Sequence, residues 1–299
     1  MKRLAILGNL NWDLVFHAIP DWPGWGREMF IDHAIRIPGG IAHAAMAARA
    51  LGAEVQVIGC VGRDQAGSEL ISALVRHGIG THATLEVEAI TGLSAAIVKE
   101  DGERTYLTHP GALHSASPLT LWQHFLVENQ HADILLISGP PLIAPSSYEE
   151  WVVLINEAHY HGVRVALDLG WDPKQNWRFW HSILPLADMV IANEIESAVY
   201  LEAPHLPDVV VVKSGATGAT IIQPSGHTAV PGYPTHAVDT GGAGDVWNGA
   251  FLSTLMVQED ITMAVRWANA AGSLYVSQIA GTSRYPDTIA VQRVVERNN

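Results

Sequence analysis

The sequence predicts an α/β fold in which a largely parallel sheet is covered by helices, and three observations carry that reading. Short apolar runs of strand length alternate with longer helical stretches along the chain. Of the 299 residues 48% are hydrophobic, enough for one large core, and no long polar linker divides them, so residues 1–299 read as a single domain. Two stretches, 14–37 and 92–108, break the alternation and read as antiparallel ribbon.

Taken in order, the first strand covers 4–7, after which Gly8-Asn9-Leu10-Asn11-Trp12-Asp13 ends it at the carboxyl edge of the sheet, where ligands collect in open α/β folds. The first ribbon, 14–37, contains Pro20, Pro23 and Gly24. A glycine pair, Gly39-Gly40, then opens an Ala-rich helix over 41–51 that Gly52 closes, and the β-branched run 55–60 is the next strand. A helix over 67–77 precedes the second ribbon. There 94–99 and 104–108 flank Glu100-Asp101-Gly102-Glu103, and an Asp-Gly pair between alternating runs is a strong hairpin signal. Strands at 134–138, 163–168, 189–192, 209–213 and 220–223 follow, with helices at 147–161, 194–201, 242–256 and 261–276.

Composition narrows the functions. A formal net charge of −13 argues against a nucleic-acid backbone or an anionic membrane as partner and favours a small-molecule substrate. The single cysteine, Cys60, lies in an apolar strand and can form no internal disulfide. The N-terminus enters a strand without a signal-peptide profile, and no run of about twenty apolar residues suggests a membrane span. A cytoplasmic address is the expectation. The 15 histidines show no zinc-site spacing.

The chemistry concentrates in Asp239-Thr240-Gly241-Gly242-Ala243-Gly244-Asp245, which runs into the apolar helix start 246–252. Small residues let backbone N–H groups approach an anion, and a helix beginning near Ala243 points its partial positive end at the same place. Asp245, in the first turn, would face whatever those amides hold and is placed to take a proton from an attacking hydroxyl. The plainer alternative is a Gly-rich connection capped by an aspartate. Other positions are equally two-sided: Asp13 suits a sugar hydroxyl or a turn, and Asn193-Glu194-Ile195-Glu196 suits a magnesium site or an Asn-capped helix with acidic first-turn residues. Trp12, Trp22 and Trp25 offer either a sugar-covering face or core filling.

Two segments in a fixed order favour the functional side. The 239–252 stretch resembles the C-terminal signature of the PfkB, or ribokinase-like, carbohydrate kinase family, and residues 38–67 resemble its N-terminal signature. The resemblance extends over nearly the whole chain. It implies a three-layer αβα sandwich with a mostly parallel sheet and a small β-sheet lid formed by 14–37 and 92–108. It also implies transfer of the ATP γ-phosphate to a hydroxymethyl group of a sugar or sugar-like molecule, with nucleosides and vitamin precursors as alternative acceptors. A non-catalytic nucleotide- or sugar-binding regulator is the alternative of another class.

Carried over to this sequence, the resemblance makes Asp245 the general base and Gly242, Ala243 and Gly244 the anion hole. Asn11, Asp13, Gly39 and Gly40 would bind the acceptor. His43 stands where the family has Asn, which implies an altered hydroxyl pattern or an anionic or bulkier acceptor. Asn193, Lys213, Gly215, Gly218 and Asn269 would serve the nucleotide, Asn269 near the adenine, and Glu196 would organise Mg²⁺ and its waters. A potassium ion is implied near Asp239, Gly241 and residues 281–283, and a homodimer through the lid edges.

Overall fold

The computed structural model describes residues 2–22, 24–99, 104–128, 130–278 and 285–297. Two sheets organise them. In chain order the elements are β1 (Arg3–Gly8), β2 (Leu10–Ile19), β3 (His33–Gly40), α1 (Ala42–Ala50), β4 (Glu54–Gly62), α2 (Gln65–Arg76), β5 (Thr84–Val87), β6 (Gly92–Lys99) and β7 (Arg104–His109). Then come α3 (Pro118–Val127), β8 (Ile134–Ser138), α4 (Tyr148–Tyr160), β9 (Arg164–Asp168), α5 (Trp177–Ile183), β10 (Met189–Asn193), α6 (Glu194–Tyr200) and β11 (Val209–Lys213). The last are β12 (Gly218–Gln223), β13 (Gly226–Pro231), α7 (Ala243–Gln258), α8 (Ile261–Val276) and α9 (Thr288–Arg297).

The larger sheet has the order β13-β12-β11-β10-β9-β8-β1-β4-β5, parallel from β11 to β5 and closed by the antiparallel pair β12 and β13. Its central strands β1, β8, β9, β10 and β11 are buried on both faces, so they read as continuous apolar runs. Period-two geometry sends alternate side chains to opposite layers. In β1, Leu4 and Ile6 join α1, α2, α7, α8 and α9, while Ala5 and Leu7 join α3, α4, α5 and α6. In β8 the partition repeats, with Ile134 and Leu136 on the first side and Leu135 and Ile137 on the second. Each fully buried Val, Leu or Ile contributes about 1.5–3 kcal/mol relative to exposure. The expected three-layer αβα sandwich is thus present.

The smaller sheet, β3-β2-β6-β7, gathers both ribbon stretches. It begins earlier than the sequence suggests, because only Asn9 separates β1 from β2. Asn11 and Asp13 therefore sit on a strand of the small sheet rather than at the end of β1, and Gly39 and Gly40 end β3 opposite Asn11 and Leu10. The β2–β6 pairing is parallel, since the two strands come from separate ribbons, while β2–β3 and β6–β7 are antiparallel. The Glu100–Glu103 turn lies outside the described residues. Helices α3, α5 and α9 and strands β5 and β13 carry weaker patterns. Helix α3 (PLTLWQHFLV) is apolar around much of its circumference and lacks a clean polar face, and β5 is four residues long.

One contact fixes two helices of the same layer that meet at the site. A Cβ built on Gly249 of α7 would lie 2.1 Å from the Ala44 carbonyl oxygen of α1. The two helix backbones pass so closely that only glycine fits. Gly249→Ala is expected to lower unfolding free energy by about 1–3 kcal/mol through overpacking, measured by chemical denaturation.

Candidate active site

The carboxyl ends of β1, β8, β9, β10 and β11, the N-terminus of α7 and the inner side of the small sheet enclose a cavity of about 1000 Å³. Three groups of side chains line it. On the small-sheet side are Asn11, Asp13, Gly40, His43, Arg104 and Tyr106. Under α7 are Gly242, Gly244 and Asp245, and toward β10 and β11 are Asp168, Asn193, Glu196 and Lys213.

Helix α7 is entered through Gly242, whose φ of +71° belongs to the left-handed region. A side chain there would also meet the His43 ring at 2.9 Å, so the turn and the imidazole exclude any other residue. Asp245 follows in the first turn, where a carboxylate faces the helix's partial positive end. Burial lifts its carboxyl to about 6. Asp168 and Asp13 push in the same direction, while His43 and Lys213 oppose.

The small-sheet side is a relay of hydrogen bonds. The Asn9 amide donates to Asn11 Oδ1 at 2.9 Å, and Asn11 Nδ2 donates to Asp13 Oδ1 at 2.5 Å. Asp13 Oδ2 lies 3.9 Å from His43 Nε2. Gly39 is the close neighbour of this carboxylate, since a Cβ there would fall 2.3 Å from Asp13 Oδ1. Arg104 reaches from β7 to the Gly-rich loop and donates from Nη1 to Thr240 Oγ1 at 2.8 Å. Small sheet and loop are thereby tied together.

On the other side Lys213 ends β11 and Asp168 ends β9. Lys213 Nζ donates to Asp168 Oδ2 at 3.0 Å and to Asn248 Oδ1 at 3.1 Å, and the Asn248 amide closes the triangle onto Asp168. Burial works against the lysine's charge, but Asp168 and Glu196 outweigh it and hold the ammonium above its ordinary value. Glu196 is buried in turn, and burial raises its carboxyl to about 7, with Asp168 adding and Lys213 opposing. Its backbone and side chain form a capping box with Asn193, so the helix-cap alternative for Asn193-x-x-Glu196 is realised while both residues still line the cavity.

Other expected residues lie elsewhere. Asn269 turns into protein: its Oδ1 accepts from Trp247 Nε1 at 2.8 Å, and its Nδ2 donates to the Val230 and Pro231 carbonyls. Gly215 and Gly218 form the turn between β11 and β12 and do not line the cavity. The tryptophans divide as their chemistry allows. Trp12 is buried, donating to the Ala66 carbonyl with Arg36 stacked on its ring, whereas Trp22 and Trp25 face solvent. The aromatic walls are Trp151, Trp171, Phe179 and Trp180.

The sequence reading missed Asp168, Asn248 and Arg104. Asn248 was legible as the residue one turn beyond Asp245, and Asp168 as a charge that ends an apolar run. Arg104 had no local signal, because its role depends on a sheet pairing that brings it to Thr240.

The fold and cavity bring together a hydrogen-bonded relay on the small sheet, a helix N-terminus with an aspartate in its first turn, and a buried lysine–carboxylate cluster. Residues 36–288 match the model of the pfkB family carbohydrate kinases, and the chain belongs to that family of phosphotransferases, whose members use ATP. The ATP-dependent ribose-1-phosphate kinase of Halopiger xanaduensis is 30% identical over 286 residues, covering 92% of each chain. The ribokinase of Haemophilus influenzae is 27% identical over 304 residues, covering 95% of each. The structure of ribokinase from Giardia lamblia superposes with a TM-score of 0.83 at 21% identity, covering 100% of this chain and 99% of that one.

Replacing Lys213 by Met leaves Asp168 and Glu196 without their buried counter-charge. The variant is expected to lose about 3–5 kcal/mol of stability, read from denaturant midpoints beside the parent.

Proposed function

We propose that the protein transfers the ATP γ-phosphate to a hydroxymethyl group of a sugar or sugar-like acceptor, with Asp245 as general base and the Gly242–Gly244 amides as anion hole. The observation that carries this reading is the position of Asp245 between the acceptor-side relay and the Lys213 cluster, on the first turn of α7. A carboxyl lifted to about 6 suits a base at neutral pH, being largely ionised yet more basic than an ordinary aspartate. The acceptor hydroxyl loses its proton to Asp245 as its oxygen attacks the γ-phosphorus, the bond from that phosphorus to the β,γ-bridging oxygen breaks and ADP leaves with the electron pair, and the backbone amides stabilise the charge on the transferred group.

Among the described residues no cluster of three or more His, Cys, Asp or Glu forms a protein metal cage. That suits Mg²⁺, which keeps waters and leans on phosphate oxygens with one or two carboxylates. Glu196 is the carboxylate this reading assigns to it. When bound, the ion neutralises phosphate charge. The small sheet acts as a lid that excludes water from the transfer. Arg104, tied to Thr240, supports that role.

The same reading extends to the assembly and its surroundings. The open edges of β3 and β7 support a homodimer joined through the lids. A cytoplasmic address is kept; no helix among the described residues is long and apolar enough to cross a membrane. Potassium is proposed beside Asp239 and Gly241, while residues 281–283 lie outside the described residues. Asn193, Lys213, Gly215 and Gly218 are assigned to the nucleotide; the assignment of Asn269 is to packing beside it rather than direct contact, since its amide is already committed.

For the acceptor, a phosphorylated sugar is a second reading. The Arg104 guanidinium, which lines the cavity together with Asp13, favours it, as does the likeness to a ribose-1-phosphate kinase.

The test is a panel of free sugars, polyols, nucleosides and sugar phosphates, assayed for acceptor phosphorylation with ATP and Mg²⁺. Turnover is expected with one class, and Asp245→Ala is expected to reduce it by about 10²–10⁴-fold. Equal rates in parent and variant would remove Asp245 from the mechanism. A second expectation concerns pH. The base must be ionised, so kcat/KM should rise through an acidic limb centred near 6 and level off above it. A flat profile from pH 5 to 7 in a stable protein contradicts the assignment.

A further inference from the structure

His43 is held unlike a surface histidine. It lies in the first turn of α1, 4% exposed, with groups facing it from four directions: Asp13 from β2, Asp245 from α7, Tyr275 from α8, and Tyr285. Its Nδ1 is 2.9 Å from the Tyr285 hydroxyl and 3.4 Å from that of Tyr275. The two phenols stack on one another, with ring centroids 5.6 Å apart and planes at 21°. Burial keeps both above the ordinary tyrosine range, so each remains an O–H donor across neutral pH.

The other nitrogen faces a group that can only accept. Asp13 Oδ2 stands 3.9 Å from Nε2, and Oδ1 is already taken by Asn11. An ionised carboxylate has no proton to give, so the proton between them belongs on Nε2. A neutral imidazole has then one acceptor left, Nδ1, and a tyrosine hydroxyl supplies its partner. The 3.9 Å gap is too long for a direct hydrogen bond. Two ordinary hydrogen bonds meeting at one hydroxyl oxygen span it, the oxygen accepting from Nε2–H and its own proton going to Oδ2.

We propose that Tyr285, backed by Tyr275, is a positioning residue that fixes His43 with its proton on Nε2, and that His43 and Asp13 together clamp one acceptor hydroxyl that must both accept and donate. The inference rests on the kinase reading above for the identity of the ligand, but the tautomer is a property of the free protein. A clamp of this kind rejects acceptors in which that hydroxyl is replaced by hydrogen or by a methoxy group, because a buried donor or acceptor is then left without its partner.

Two measurements test it. Nitrogen-15 NMR of histidine-labelled protein, with the His43 signal assigned by its loss in His43→Asn, is expected to show the Nε2–H tautomer in the parent and a mixture in Tyr285→Phe. Kinetics with the acceptor found by the panel are expected to show Tyr285→Phe raising the acceptor KM about tenfold, the weight of one hydrogen bond, with the ATP KM unchanged. The same substitution made in His43→Asn should be silent. Tyr275→Phe, at the longer distance, should act in the same direction and more weakly, and it stands in if Tyr285→Phe does not fold. An unchanged tautomer overturns the proposal. So does an equal effect of Tyr285→Phe with and without His43, which marks plain packing. If no acceptor is phosphorylated at all, the kinase reading fails, and the NMR result still decides the positioning of His43.

Discussion

The site depends on the close passage of α1 against α7. Gly249 lets the α7 backbone meet the Ala44 carbonyl, and about two turns earlier Gly242 leaves room for the His43 ring against the helix entrance. Side chains on two elements far apart in sequence, His43 and Asp245, are thereby set on one cavity wall by backbone packing rather than by their own flexibility. Such a constraint is steep. A backbone carbonyl cannot rotate away as a side chain can, so any Cβ introduced at the crossing must separate the helices. His43 and Asp245 would then move apart together.

A second constraint is electrostatic and lies on the opposite wall. Asp168, Lys213 and Asn248 satisfy one another inside the protein, and Glu196 shares their field. The cluster joins the ends of β9 and β11 to α7, the helix that also carries Asp245. Ionising one carboxyl makes the next harder to ionise. Both Glu196 and Asp245 are raised by Asp168 and lowered by Lys213. The wall thus has a surplus of carboxyls over cations, a field that favours a cationic group placed against it.

Much of this was legible in the sequence, for identifiable reasons. The apolar runs of β8 and β11 and the periodicity of α8 are strong enough to set their limits, and the turn at 239–245 announces itself because its glycines allow both a left-handed turn and close approach. What could not be read were relations across the sheet. Asn11 and Asp13 look like the end of β1, yet belong to β2, because a single-residue connection leaves no turn signal. Arg104 looks like any strand charge until β7 is paired. Asn269 looks available from its small-residue surroundings, and only the three-dimensional fold shows Trp247, Val230 and Pro231 consuming its amide. Local pattern specifies elements; which polar groups are left over after folding is decided by neighbours far away in sequence.

The single-residue link at Asn9 has a mechanical consequence. β1 is a central strand clamped between β4 and β8, and β2 departs from it with no slack. The small sheet is in effect a lever whose short arm carries Asn11 and Asp13, while its far strand carries Arg104. Any tilt of this lever would change the spacing of Asp13 from Asp245 and the reach of Arg104 to Thr240 in one motion, so the two wall contacts are mechanically coupled.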